Sequence, residues 1–149
     1  MAFWRWPHHF TPHEVKALAE HIDFFPTICE LIGTPLTPEL QKQVEGRRMV
    51  PLLNDGQAAW ADRKLVTHVG RWPQGKAPET FKYVGCSVRT TRWHLVADPK
   101  NNPQHHQWLL FDLLQDPGEK NDVASANPDT VKSLSDYFET WWQEVRPMM

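Results

Sequence analysis

The chain has 149 residues, enough for one real hydrophobic core, and 40% of them are apolar. Thirteen prolines argue against a long helical bundle, and a net charge of −2 leaves no basic field for nucleic acid. No apolar run approaches the ~20 residues of a membrane span, so the composition points to a loop-rich α+β or β domain.

In chain order, residues 3–7 alternate aromatic and basic side chains before Pro7, which predicts a short strand with Trp4 and Trp6 on one face. Thr11-Pro12-His13-Glu14 fits a capping box and predicts a short helix start. The opening residues lack the basic-then-apolar layout of a signal peptide. Either the chain stays in the cytoplasm or these residues are not the start of the natural domain, and the compartment is left open.

Residues 23–32 read as a helix capped by Asp23, with Pro26 in its first turn and Gly33 ending it. Phe25, Ile28, Cys29 and Ile32 recur at helical spacing and are the expected buried face. Residues 34–44 form a connector with one weak helical turn. Residues 49–53 form an apolar plug, and Asn54-Asp55-Gly56 a turn.

Four strands are expected next. Residues 64–69 alternate cleanly. Residues 81–84 and 86–90 read as one strand interrupted at Gly85 by a bulge. Residues 93–97 follow after a tight connection at Thr91-Arg92, and residues 109–114 come after a polar loop over 98–106. Asp116-Pro117-Gly118 then breaks the chain in a turn, with Gly118 expected at positive φ. Residues 128–145 predict a helix roughly 27 Å long, capped by Asn127. Val131, Leu134, Phe138, Trp141 and Val145 make its apolar stripe, and it is the natural cover for one face of the sheet. The fold class is therefore α+β: about four antiparallel strands packed by a C-terminal amphipathic helix, after a helical, loop-rich N-terminal segment.

The chemistry is sparse. His8-His9 and His105-His106 are adjacent pairs in polar loops, without cysteine or carboxylate at a ligand spacing, so no metal site is assigned. Asp112 and Asp116 suit capping and turn roles better than acid–base work. Within a strand Cys86 and Arg89 point to opposite faces, which leaves the thiol unactivated. Cys29 and Cys86 fit either one disulfide or two buried free thiols. The exception is the end of the first strand. His68 and Arg71 flank Gly70, and Lys76 follows, so imidazole, guanidinium and ammonium can meet an anion together. The alternative is a surface loop whose arginine pairs with a nearby carboxylate.

Several blocks carry a family likeness. Leu110-Phe111-Asp112-Leu113, then Asp116-Pro117-Gly118-Glu119 and Asn121, resembles the C-terminal signature of the sulfatases. Arg5-Trp6-Pro7, Asp23 with Pro26-Thr27, Gly46 with residues 49–53 (Arg48 standing for the usual serine), residues 67–72, Val88-Arg89-Thr90, residues 93–96 and Trp141-Trp142 also fit in order, especially arylsulfatase-like enzymes. The resemblance implies a smaller C-terminal part, a four-stranded antiparallel sheet packed by a helix, belonging to a sulfuric ester hydrolase. On it, residues 1–60 are the end of the catalytic α/β part plus connector, and residues 61–149 the C-terminal subdomain.

The family's machinery is a formylglycine made from a Cys/Ser-x-Pro/Ala-x-Arg motif, with calcium held by Asp and Asn. Neither Cys29, followed by Glu30-Leu31-Ile32-Gly33, nor Cys86, followed by Ser87-Val88-Arg89-Thr90, fits that motif. The expectation is thus no catalytic residue, metal or cofactor in this chain and no turnover by it alone. It would support the catalytic part and shape the substrate entrance, with His68, Arg71 and Lys76 near substrate. The expected partner is the catalytic sulfatase part, or another copy of the chain, meeting an apolar face around Phe3, Trp4, Trp6, Phe24 and Phe25. A free-standing interaction module derived from a sulfatase is the alternative.

Overall fold

The computed structural model describes residues 2–100 and 106–148. They fall into two compact units, Met1–Asp62 and Arg63–Met149. In the first unit the described residues are helical or irregular. Residues 3–7 form no strand, and the chain instead turns so that the His9 and Phe10 N–H groups reach the Trp6 carbonyl. No helix starts at Thr11 either. His13 turns its ring onto the carbonyls of Thr11 and Leu52, which fixes this stretch without regular structure.

A 3₁₀ turn, His21–Asp23, leads into α1, Phe24–Leu31. Gly33 closes α1 at φ +69°, a left-handed conformation that favours glycine. Two short helices follow, α2 at Pro38–Gln41 and α3 at Val50–Asn54. The Asp23 side chain does not cap α1. It is fully buried, and its two oxygens accept the N–H of Glu20 at 2.8 Å and of Arg47 at 2.7 Å. Thr27 Oγ1 donates to the Asp23 carbonyl at 2.5 Å and accepts the Met49 N–H at 2.9 Å. These bonds turn the Asp23–Pro26–Thr27 side of α1 inward, beside the buried Met49, Leu52 and Leu53. The expected face is therefore reversed: Phe25 and Ile32 are 49% and 65% exposed, and Ile28 is exposed as well. Gly46 lies tight against this junction, since a Cβ there would sit 2.0 Å from the Ile22 carbonyl oxygen.

The second unit is an antiparallel meander in the order β1-β2-β3-β4, with β1 Leu65–His68, β2 Cys86–Arg89, β3 Trp93–Ala97 and β4 Trp108–Asp112. Residues 81–84 are not strand. A 3₁₀ helix, Pro78–Phe81, is followed by a turn that delivers the chain into β2, so no bulge exists at Gly85. The register puts Val66, Val88, Leu95 and Leu110 in one row across the sheet. That row faces α4, Pro128–Val145. The core is Cys86, Val88, Leu95, Ala97 and Leu110 from the strands with Leu134, Phe138 and Trp142 from the helix. Burying a large apolar side chain contributes roughly 1.5–3 kcal/mol, so this face is the main source of cohesion. Trp142, not Trp141, is the buried ring of the pair. Asn127 precedes α4 without capping it through its side chain, because its Nδ2 donates to the Val123 carbonyl instead.

The stretch after β4 is held by its own acids. Asp112 takes Arg92 at 2.8 and 3.1 Å and the Leu114 N–H at 3.2 Å. Asp116 Oδ2 accepts the Lys120 and Asn121 N–H groups at 2.7 and 2.8 Å. Glu119, rather than Gly118, takes the positive φ, at +52°, and its carboxylate meets His94 Nδ1 at 2.9 Å. Asp122 Oδ1 accepts from Leu110 and Ala124. Glu119 and Asp122 hold this turn to β3 and β4, while Asp116 closes it on itself.

Candidate functional site

The end of β1 and the loop that joins it to β2 carry the three residues singled out for anion binding, His68 in the strand and Arg71 and Lys76 in the loop. β1 alternates, so Val66 and His68 share the side that faces α4 while Thr67 is exposed. The His68 ring therefore lies inward, 5.3 Å from Trp142 and 6.2 Å from Trp141 by ring centroids. Its Nδ1 accepts the Gly70 N–H at 2.8 Å. An acceptor Nδ1 fixes the proton on Nε2, which points at the carbonyls of Phe81 and Lys82, both at 3.2 Å. The imidazole thus ties the start of the loop to its end. With both nitrogens engaged, it does not join Arg71 and Lys76 as a third anion contact in this arrangement.

Arg71 and Lys76 stand exposed on the outer part of the loop. A turn closed by the Lys76 N–H on the Pro73 carbonyl at 3.1 Å shapes that part. The return limb is moored to α4. Glu79 pairs with Arg146, just beyond the end of α4, and Lys82 pairs with Glu139. The Tyr83 hydroxyl donates to the same Glu139 carboxylate at 2.6 Å. Burial and the neighbouring carboxylate push the Tyr83 hydroxyl well above the usual phenol range. Lys82, Tyr83 and Glu139 were not legible as a group, because residues 81–84 read as strand and Glu139 as the polar side of a helix. The result is a loop with a fixed neck and a cationic tip, suited to meeting an anionic group by charge-assisted hydrogen bonds.

The other candidates resolve into structure. The Asp112 and Asp116 carboxyls are held below the usual carboxylate range, Asp112 by the Arg92 guanidinium and Asp116 by the N–H groups it accepts. Cys29 and Cys86 are both free thiols. Cys86 is in the core, and burial pushes its thiol up to about 12, the wrong direction for a nucleophile. His8 and His9 are exposed, with His9 against Trp6, and His105 lies outside the described residues. His106 stacks on Tyr83 with ring centroids 3.9 Å apart. Among the described residues no group of three or more His, Cys, Asp or Glu comes together to hold a metal ion, and no helix is long and apolar enough to cross a membrane.

Comparison with known proteins decides the family. The family model described as N-sulphoglucosamine sulphohydrolase, C-terminal, matches residues 2–143. The chain belongs to the sulfatase family, as a C-terminal portion. It is 31% identical over 138 residues to the steryl-sulfatase of Mus musculus, covering 80% of this chain and 21% of that one. It is 27% identical over 148 residues to an N-acetylgalactosamine-6-O-sulfatase of Bacteroides thetaiotaomicron, covering 91% of this chain and 26% of that protein. The sulfatase portion seen here thus spans about a fifth to a quarter of the length of these curated relatives.

Solved structures agree on the fold. A Bacteroides thetaiotaomicron protein from a locus orchestrating glycosaminoglycan metabolism superposes with a TM-score of 0.62 at 23% identity, over 91% of this chain and 27% of that one. A protein solved with its substrate D-glucosamine-2-N,6-O-disulfate gives 0.55 at 19% identity, over 84% of this chain and 24% of that one. Sulfatase membership implies calcium and a formylglycine residue in full-length members. Among the described acids, those at the end of β4 and in the turn after it are engaged by backbone N–H groups and by Arg92 and His94. No reaction step is assigned through either group.

Proposed function

We propose that this sulfatase portion acts as the support and entrance wall of a sulfuric ester hydrolase and performs no chemistry unaided. The observation that carries the reading is the loop after β1, whose neck is fixed by His68 while Arg71 and Lys76 remain exposed at its tip. On this reading Arg71 and Lys76 approach the sulfate ester or its leaving group, and His68 acts as a positioning residue that sets where they stand. Residues 1–60 are then the end of the catalytic part and its connector. The exposed Phe24, Phe25, Ile28 and Ile32 of α1, with Phe3 89% exposed, supply an apolar surface that the catalytic part, or failing that a second copy of the chain, would cover.

Three measurements test this. The purified chain, incubated with an aryl sulfate and calcium, is expected to release no more product than a heat-denatured control, and turnover would overturn the proposal of inactivity. In the chain joined to a catalytic sulfatase part, R71A and K76A together are expected to raise KM about tenfold or more with kcat less affected. An unchanged KM would remove the entrance role. Light scattering of the chain by itself addresses the apolar surface. Dimers or larger species are expected, whereas a clean monomer would favour the independent interaction module.

A further inference from the structure

His13 is held differently from His68. Its Nδ1 lies 2.9 Å from the Thr11 carbonyl oxygen, and its Nε2 lies 2.9 Å from the Leu52 carbonyl oxygen in α3. A carbonyl oxygen only accepts. A neutral imidazole has a single N–H, so either tautomer would aim one bare nitrogen lone pair at an oxygen lone pair. Only the imidazolium donates at both nitrogens. His68 has the opposite surroundings, an N–H on one side and carbonyls on the other, which a neutral ring satisfies.

His13 is exposed as a residue, but Gly56 lies tight against one edge of its ring. A Cβ on Gly56 would come within 2.5 Å of the Glu14 carbonyl oxygen and 2.8 Å of His13 Cδ2. The charged group that acts on the ring is Asp55, directly after α3; Glu14 is next to His13 in the chain and exposed. Asp55 favours the imidazolium through its field. The rest of the segment is irregular, and the tie that accompanies the clamp is the Trp60 Nε1–H donated to the Leu18 carbonyl at 3.0 Å.

We propose that His13 is a proton-operated clamp, which holds residues 11–14 to α3 through both ring N–H groups when charged and loosens them when neutral, keeping at most one of the two bonds. The Leu52 and Thr11 carbonyls, which hold the charge on the ring, place His13 above the ordinary histidine value of 6.5. The sign follows from that direction. The clamp's contribution is complete below 6.5 and is lost as the pH rises through the higher value of the folded chain.

The test uses the whole chain labelled with ¹⁵N. Long-range ¹H–¹⁵N spectra should show both His13 nitrogens protonated at about pH 6.5, with a midpoint above that of a free histidine. Limited proteolysis should cut between residues 11 and 20 several-fold faster at about pH 8.5 than at about pH 6, after correction with an unstructured peptide. H13A should be cut at the faster rate at both pH values. A single-N–H tautomer at pH 6, or wild-type cleavage that does not change with pH, would overturn the clamp. If H13A fails to fold, the wild-type titration decides by itself.

Discussion

Asp23 Oδ1 accepts the backbone N–H of Arg47 at 2.7 Å, joining two points 24 residues apart in the chain. The other oxygen of the same buried carboxylate holds Glu20, and Thr27 one turn later holds Met49. The Asp-x-x-Pro-Thr block is thus a set of side-chain acceptors that stand in for tertiary packing where the first unit has little apolar core. Asp23→Ala removes the acceptor of two part-buried N–H groups. With hydrogen bonds to charged groups worth about 1.5–3 kcal/mol each, the variant should lose about 3 kcal/mol or more of stability. Asp23→Asn keeps the shape but turns an amide donor toward one of those N–H groups, and should also destabilise. Urea denaturation followed by tryptophan fluorescence checks both, and midpoints equal to wild type would show that the node is not structural.

The two thiols should differ sharply in reactivity. Cys86 is 2% exposed with its thiol pushed up to about 12, whereas Cys29 is half-buried on α1. The thiolate is the reacting form. Iodoacetamide at about pH 8 should therefore alkylate Cys29 and spare Cys86 until the chain is unfolded, as read by mass spectrometry of the peptides. Equal labelling of the native chain would mean that β2 opens readily.

Acid should loosen the turn after β4. Asp112 and Asp116 both titrate below the ordinary 3.8, so their contribution is complete above that value and is lost as the pH falls through their lower folded values. Melting temperature measured against pH should fall on this limb. Asp116→Asn, which keeps an acceptor oxygen but removes the charge that strengthens the bonds from Lys120 and Asn121, should lower the melting temperature at neutral pH and flatten the acid limb. An acid limb identical to wild type would place the sensitivity elsewhere.

Much of the second unit was legible because its pattern has one reading. Leu65 to His68, Cys86 to Arg89 and Trp93 to Ala97 alternate, and the long helix repeats its apolar residues every three or four positions. Failures came where periodicity allows two answers. Steps of three and four select Trp141, steps of four select Trp142, and the sheet takes Trp142. On α1 the apolar spacing was real, but the Asp23 and Thr27 hydrogen bonds decide which side turns inward. Gly118 looked made for a positive φ, yet Glu119 adopts it and thereby reaches His94. At the site, the cationic loop was visible as composition. The use of both His68 nitrogens was not, since it depends on Phe81 and Lys82 being turned back beneath the loop.

The meander order of the sheet has a consequence for synthesis. Each strand pairs with the one made just before it, so β1 to β4 can assemble as they leave the ribosome. Leu134, Phe138 and Trp142 emerge only afterwards. For the time needed to translate the last stretch of chain, the row from Val66 to Leu110 has no cover. A nascent chain stalled in that interval would present a sticky sheet to its neighbours and would be a natural client for a chaperone that recognises exposed apolar strands.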